Sequence, residues 1–172
     1  TGQHGRAADL YARAVALEPT SLLRLRLADA LLESGRLDEA QRAYTAVVDN
    51  ADAEPAARYG LGRLAVAAGD LATARTHFER AVALQPTFGA AHYALAQQLL
   101  QARVNLITLY ARTGNVPASE RHYRAVVDAG TQLAEAHHAF GLALVAARDV
   151  ARAEPVLQEA VQANPLDAEA YN

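Results

Sequence analysis

Six histidines are the residues of this chain best placed to do chemistry, because an imidazole can bind a metal or move a proton near neutral pH. A helical zinc site needs histidines at i and i+4, or a His-x-x-Glu spacing, and three or four ligands that converge. His137 and His138 are adjacent, which turns them about 100° apart on a helix, so they do not share a metal. His92 with His137, and His77 with His122, occupy matching places in an internal repeat, and repetition accounts for them better than ligation does. Cysteine is absent, which removes disulfides and thiolate metal sites but leaves the compartment undecided. There is no Gly-x-Ser-x-Gly elbow, no glycine-rich phosphate loop and no His-Glu-x-x-His, the spacings that acyl transfer, phosphate binding and metalloprotease chemistry use. The carboxylates fall at helix caps and on solvated faces, the ordinary fate of charge on amphipathic helices. No enzymatic activity, metal or cofactor is expected.

The elements that carry these residues are helices. Apolar residues make up 52% of the chain, yet aromatics are only 6% and Ile107 is the single isoleucine. Alanine dominates, and alanine favours helices that approach closely, whereas β-branched and aromatic residues favour strands. The net charge of -3 is small and interspersed, so there is no electrostatic footprint for nucleic acid or an anionic membrane. All 16 basic residues are arginine, which reads as the usage of a GC-rich, bacterial type of genome. No apolar stretch approaches the roughly 20 residues of a membrane span, and no signal-peptide pattern opens the chain. A soluble protein, cytoplasmic rather than secreted, is expected. The opening Thr1-Gly2-Gln3 and the lack of methionine suggest a fragment of a longer protein.

Aligning Gly35, Gly69 and Gly114 brings their flanks into register: an apolar helical pattern before each glycine, then a polar residue and a second helical pattern. The first two glycines are 34 residues apart, and Arg148 stands 34 residues after Gly114. These glycines suit the left-handed position that ends a helix, and Asp38, Asp70 and Asn115 are good caps for the next one. Pro19, Pro86 and Pro165 close repeats, Pro117 fits a first helical turn, and Pro155 predicts a kink or a late helix start. Leu27, Leu61, Leu106 and Phe140 lie eight residues before the turn, followed by small residues Ala28, Gly62 and Gly141 where two helices would cross. Opposite stand Ala7, Ala40, Ala74 and Ala153. Four residues on come Tyr11, Tyr44, Phe78, Tyr123 and Leu157, and three further Ala14, Val47, Ala81, Val126 and Ala160, all on one helix face. Ile107 and Ser119 break the small-residue pattern and predict a wider crossing there.

This helix–turn–helix period resembles the tetratricopeptide repeat, over almost the whole chain. The resemblance implies an all-α, right-handed superhelical solenoid of antiparallel helix pairs, taken as one array over residues 1–172: a half repeat 1–20, repeats 21–54 and 55–88, an irregular piece 89–99, repeats 100–133 and 134–167, and the start of another at 168–172. Gly69 and Gly114 are 45 residues apart, 11 more than one period. Either helix 89–113 is long, with Ala91, Leu95, Leu99, Ala102 and Leu106 on one face, or a helix is missing near 96–99; the run Gln98 to Ala102 favours the second.

In this family the first helices line an inner, concave face, and the resemblance assigns to it Leu25, Asp29, Tyr59, Arg63, Tyr93, Val104, Thr108, Arg112, His138 and Leu142, with Leu22, Leu32, Val66, Glu135 and Val145 beside them. That lining is apolar for a surface, and apolar patches mark interaction sites. The Lys, Asn and Arg clamp with which some members hold acidic peptide ends is replaced by Leu25, Asp29, Gly60, Glu135 and Ala139. An asparagine ladder is likewise absent, its positions reading Arg26, Gly60, Ala94, Asn105 and Ala139. The expected function is a protein–protein interaction scaffold that takes an apolar peptide or helical segment in its groove. The alternative is the targeting or regulatory arm of a larger enzyme such as a glycosyltransferase. Self-association through exposed repeat ends is a further expectation.

Overall fold

The computed structural model describes residues 2–130 and 133–164, and among these the regular structure is helical, with no strand. The helices are α1 (Gly2–Leu17), α2 (Ser21–Glu33), α3 (Leu37–Thr45), α4 (Glu54–Ala67), α5 (Leu71–Leu84), α6 (Gly89–Arg112), α7 (Val116–Val127), α8 (Ala134–Ala146) and α9 (Val150–Ala163). Pro165 and the segment 168–172 lie outside the described residues. No described helix is long and apolar enough to cross a membrane.

The turns form as their chemistry dictates. Gly35, Gly69 and Gly114 take φ of 82°, 78° and 71°, and Arg148 takes 62° in the equivalent place. Each turn closes the same way: Gly35 N–H donates to Leu32 O and Arg36 N–H to Leu31 O, with Gly69 and Asp70, Gly114 and Asn115, and Arg148 and Asp149 repeating that pair of bonds. Backbone carbonyls left open at a helix end are satisfied by this arrangement. Asp70, Asn115 and Asp149 then cap α5, α7 and α9 through their carboxylate or amide oxygens, and Thr20 caps α2. Asp38 does not cap. The cap position of α3 belongs to Arg36, whose side chain bonds Glu39 and Asp9 instead, and Asp38 falls in the first turn. Pro155 sits inside α9, which starts at Val150, so no late start occurs.

The chain packs as two compact units, 1–98 and 99–172, divided inside the irregular piece. In the first unit, Ala8, Ala28, Ala40 and Tyr44 anchor one buried cluster, and Ala65, Ala74 and Phe78 another. Ala7 is only half-buried and its neighbour Ala8 takes the interior place. In the second unit, Val104, Ile107, Val126, Phe140, Leu144 and Ala153 form the core. The small residues of the crossings are required by close approach. A Cβ on Gly62 would meet the Phe78 ring at 2.4 Å, and one on Gly141 would meet Leu157 Cδ2 at 2.4 Å. Ser119, opposite Ile107, is fully buried and donates its hydroxyl to Ile107 O at 3.1 Å.

α6 is one uninterrupted helix of 24 residues, the long-helix arrangement of the irregular piece. Its expected apolar face is not the one that forms. Ala91 is buried, but Leu99 is 57% exposed and Ala102 is exposed. From Leu100 onward the packed stripe is Leu100, Val104, Ile107 and Ala111, all in the core of the second unit. Those residues recur at i, i+4, i+7 and i+11, a helical period of its own.

Arg148 is the one non-glycine with positive φ among the described residues, and a side chain there costs about 1–2 kcal/mol relative to glycine. Arg148→Gly is expected to stabilise the second unit by about 1 kcal/mol after the extra freedom of the unfolded chain is counted, read as a higher urea midpoint.

Candidate functional site

The first helices α2 and α4 keep an open side because their bulky partners come from the second helices. Tyr44 of α3 is fully buried, and its ring fills the space over Gly60 of α4, where a Cβ would lie 2.2 Å from Tyr44 Cε1. That placement delivers the Tyr44 hydroxyl to Asp29 of α2, to which it donates at 2.6 Å. Burial, and after it the bond to Asp29, pushes the Tyr44 hydroxyl well above the ordinary phenol range. Arg63 of α4 reaches across to α2, pairing with Glu33 and lying 4.0 Å from Asp29. Its guanidinium also sits over the Tyr59 ring, 6.0 Å from the centroid. Burial, the largest single influence, lowers the Arg63 pKa, but the bond to Glu33 together with the nearby charge of Glu33 and the Tyr44 and Tyr59 phenols outweighs it, and the net direction is upward.

Three expected site residues, Asp29, Tyr59 and Arg63, are thus brought together in the first unit. Tyr59 is half-buried rather than free, its ring centroid 5.6 Å from Phe78 and 5.3 Å from Phe88. Leu25 packs partly into the interior. Tyr93, 34 residues after Tyr59, is 67% exposed, as Leu22 is at 62% and Val66 at 44%. Glu33 was not among the expected residues, although it holds the thirteenth place of its repeat, an inner-face position in this pattern, and that signal finds it.

In the second unit the expected residues part company. Val104 is 5% exposed and belongs to the core, so it offers no contact surface. Thr108 donates its hydroxyl to Val104 O, and Arg112 is exposed in the last turn of α6. His138 is half-buried, and Leu142 is half exposed one turn further along α8. His137 is the residue the sequence underrates. It is 5% exposed, with Nδ1 3.0 Å from the Tyr123 hydroxyl and 3.1 Å from Glu159 Oε2. Tyr123 stacks on Phe140 at 4.5 Å and donates to Glu159 at 3.2 Å. This cluster ties α7, α8 and α9 together, with His137 buried beneath a half-buried Tyr123 and a surface carboxylate at Glu159. Among the described residues no three His, Asp or Glu come together as a metal-binding group.

The tetratricopeptide repeat family model matches residues 1–55, 25–87, 59–134 and 138–172. The chain belongs to the tetratricopeptide repeat family. Two crystal structures of MamA are similar in fold at 19% sequence identity. One has a TM-score of 0.53 and is covered over 92% of its chain, the other 0.50 and 86%, each over 98% of this chain. No curated protein matches the chain in sequence. Family and fold together make it a helical-repeat scaffold for protein–protein interaction.

Burial, then the Glu159 carboxylate, pushes the Tyr123 hydroxyl up to about 12. A phenol whose pKa is higher folded than unfolded stabilises the fold below its unfolded value and loses that contribution as pH rises through the folded one. Stability is therefore expected to fall between the ordinary tyrosine value, about 10, and pH about 12. In Tyr123→Phe that alkaline decline should be shallower when followed by urea unfolding at each pH.

Proposed function

We propose that the chain is a non-catalytic scaffold that binds a polypeptide segment on the open side of its first helices, with the α2–α4 face of the first unit as the principal contact surface. The observation that carries this reading is the exposure of Leu22 on α2 and Val66 on α4, the two helices that also hold the fixed polar cluster Asp29, Glu33 and Arg63, with Tyr93 of α6 exposed as well. Apolar side chains held open on a helical face favour association, and tyrosines are favoured among the residues that anchor interfaces. In the second unit, His138, Leu142 and Val145 share one face of α8 at i, i+4 and i+7 and supply a further strip of the same kind. Self-association is a second reading, favoured by Leu10 and Leu17 of α1, both strongly exposed; sedimentation velocity over a range of concentrations reads it.

Leu22→Ser with Tyr93→Ala tests the first reading better than changes at Tyr59, whose ring also supports packing. Both residues are exposed, so the helical signal and melting temperature should stay close to wild type. Capture of a bound partner should weaken by about ten-fold or more, the loss of two apolar anchors at roughly 1 kcal/mol each. Unchanged affinity of the double variant for a partner isolated with the wild-type chain would rule the face out.

A further inference from the structure

We propose that the α8 strip of the second unit takes a helical partner segment, apolar in its middle and oppositely charged at its ends. Arg112 receives the acidic end and Glu135 the basic one. This rests on the reading of that strip as a contact surface and adds the charge pattern of its occupant. Glu33 of α2 and Arg63 of α4 hold the thirteenth place of one repeat and the ninth of the next, and they form an ion pair between the two helices. In the second unit the same two places hold Arg112 of α6 and Leu142 of α8. The last turns of these helices share a core, since Ala111 and Ala143 belong to one packed cluster. Where the first unit answers a charge with its opposite, the second sets an arginine against an exposed leucine. Arg112 is exposed and forms no ion pair or hydrogen bond among the described residues.

The charge at that end of the strip does not cancel. Asp149, just past α8, caps α9 and pairs with Arg152, while Arg148 adds a second exposed arginine with no ion pair among the described residues. At the other end Glu135 is exposed in the first turn of α8 and is likewise unpaired. Leu142 and Val145 lie between, exposed on the same helix face as Glu135, at i+7 and i+10. Arg112 holds on α6 the place that Ala146 holds on α8, and Ala146 is 11 residues beyond Glu135, about 16 Å along a helix. Two residues 11 apart on a partner helix also share one face at that distance. A carboxylate brought to Arg112 and a cation brought to Glu135 each gain a partner without displacing one, so complementary charge fixes the direction in which the segment lies. Glu135 stands at one of the clamp places and repels the acidic chain end that a clamp would hold.

Three synthetic helix-forming peptides of equal length share an apolar face and differ only at two positions, about 11 residues apart, that flank it. They carry Glu and Arg, Glu and Glu, or Arg and Arg there. Their binding to the whole chain, to Arg112→Glu and to Leu142→Ser is read by fluorescence anisotropy. The Glu and Arg peptide is expected to bind at least about three-fold tighter than either of the others, with the advantage shrinking between about 0.05 and about 0.5 M salt. In Arg112→Glu the order should change, the Arg and Arg peptide becoming the tightest, and Leu142→Ser should weaken all three. Both positions are exposed, so the variants should keep their fold. If a glutamate at the end of α6 does unfold the chain, Arg112→Gln takes its place and should erase the advantage over the Arg and Arg peptide. Equal binding of the three peptides, or an order that Arg112→Glu leaves unchanged, overturns the charge pattern while a loss in Leu142→Ser keeps the strip standing. No binding, or binding that Leu142→Ser leaves unchanged, overturns the strip itself.

Discussion

The rest of this structure depends on how closely the two helices of a repeat approach at their crossing. Gly62 and Gly141 leave no room for even one methyl group beside Phe78 and Leu157, and Gly60, where successive repeats meet, leaves none beside Tyr44. Each bulky side chain comes from a second helix and each hole from a first helix. Glycine inside a helix is unfavourable by about 1 kcal/mol relative to alanine, so a glycine at these places is worth having only for the packing it admits. The ring contacts supply that packing, burying Tyr44 and Phe78 almost completely.

That division of labour also determines what the first helices can present. Since the second helices contribute the volume, the far side of α2 and α4 is released from core duty and can hold charge and exposed apolar residues together. The Tyr44–Asp29 bond links the two roles directly. A ring held over Gly60 fixes the hydroxyl, the hydroxyl fixes a carboxylate, and the carboxylate lies beside Arg63. The open face inherits the rigidity of the core beneath it, which lowers the entropic cost of forming a contact there.

Local chemistry made most of the fold legible in the sequence. Positive φ at Gly35, Gly69 and Gly114, the caps at Asp70 and Asn115, and the buried row Ala40, Tyr44 and Val47 follow from residue type and a 34-residue period. The errors arise where two local signals compete. Asp38 looks like a cap, but Arg36 is drawn into a bidentate bond with Glu39 and a third bond with Asp9, and the helix begins earlier. Val104 sits at a groove position by counting from Gly114, yet counting along α6 puts it on the stripe with Leu100, Ile107 and Ala111. An isoleucine at a place that elsewhere holds glycine or alanine needs apolar neighbours to cover it, and Val104, three residues before, is one of them.

His137 shows why a site can be hidden from sequence even when its residue type is conspicuous. The imidazole draws attention as a ligand or a base, but its chemistry depends on Tyr123, 14 residues before it, and Glu159, 22 after it. Only the packing of α7 and α9 against α8 makes them a single cluster. The same holds on the other unit, where Asp29 becomes a fixed carboxylate because Tyr44 is pressed over Gly60, a residue in a different repeat. In a helical repeat, the period predicts which side chains face inward; which polar groups then meet is decided between repeats. A spacing rule confined to one repeat is blind to those pairings.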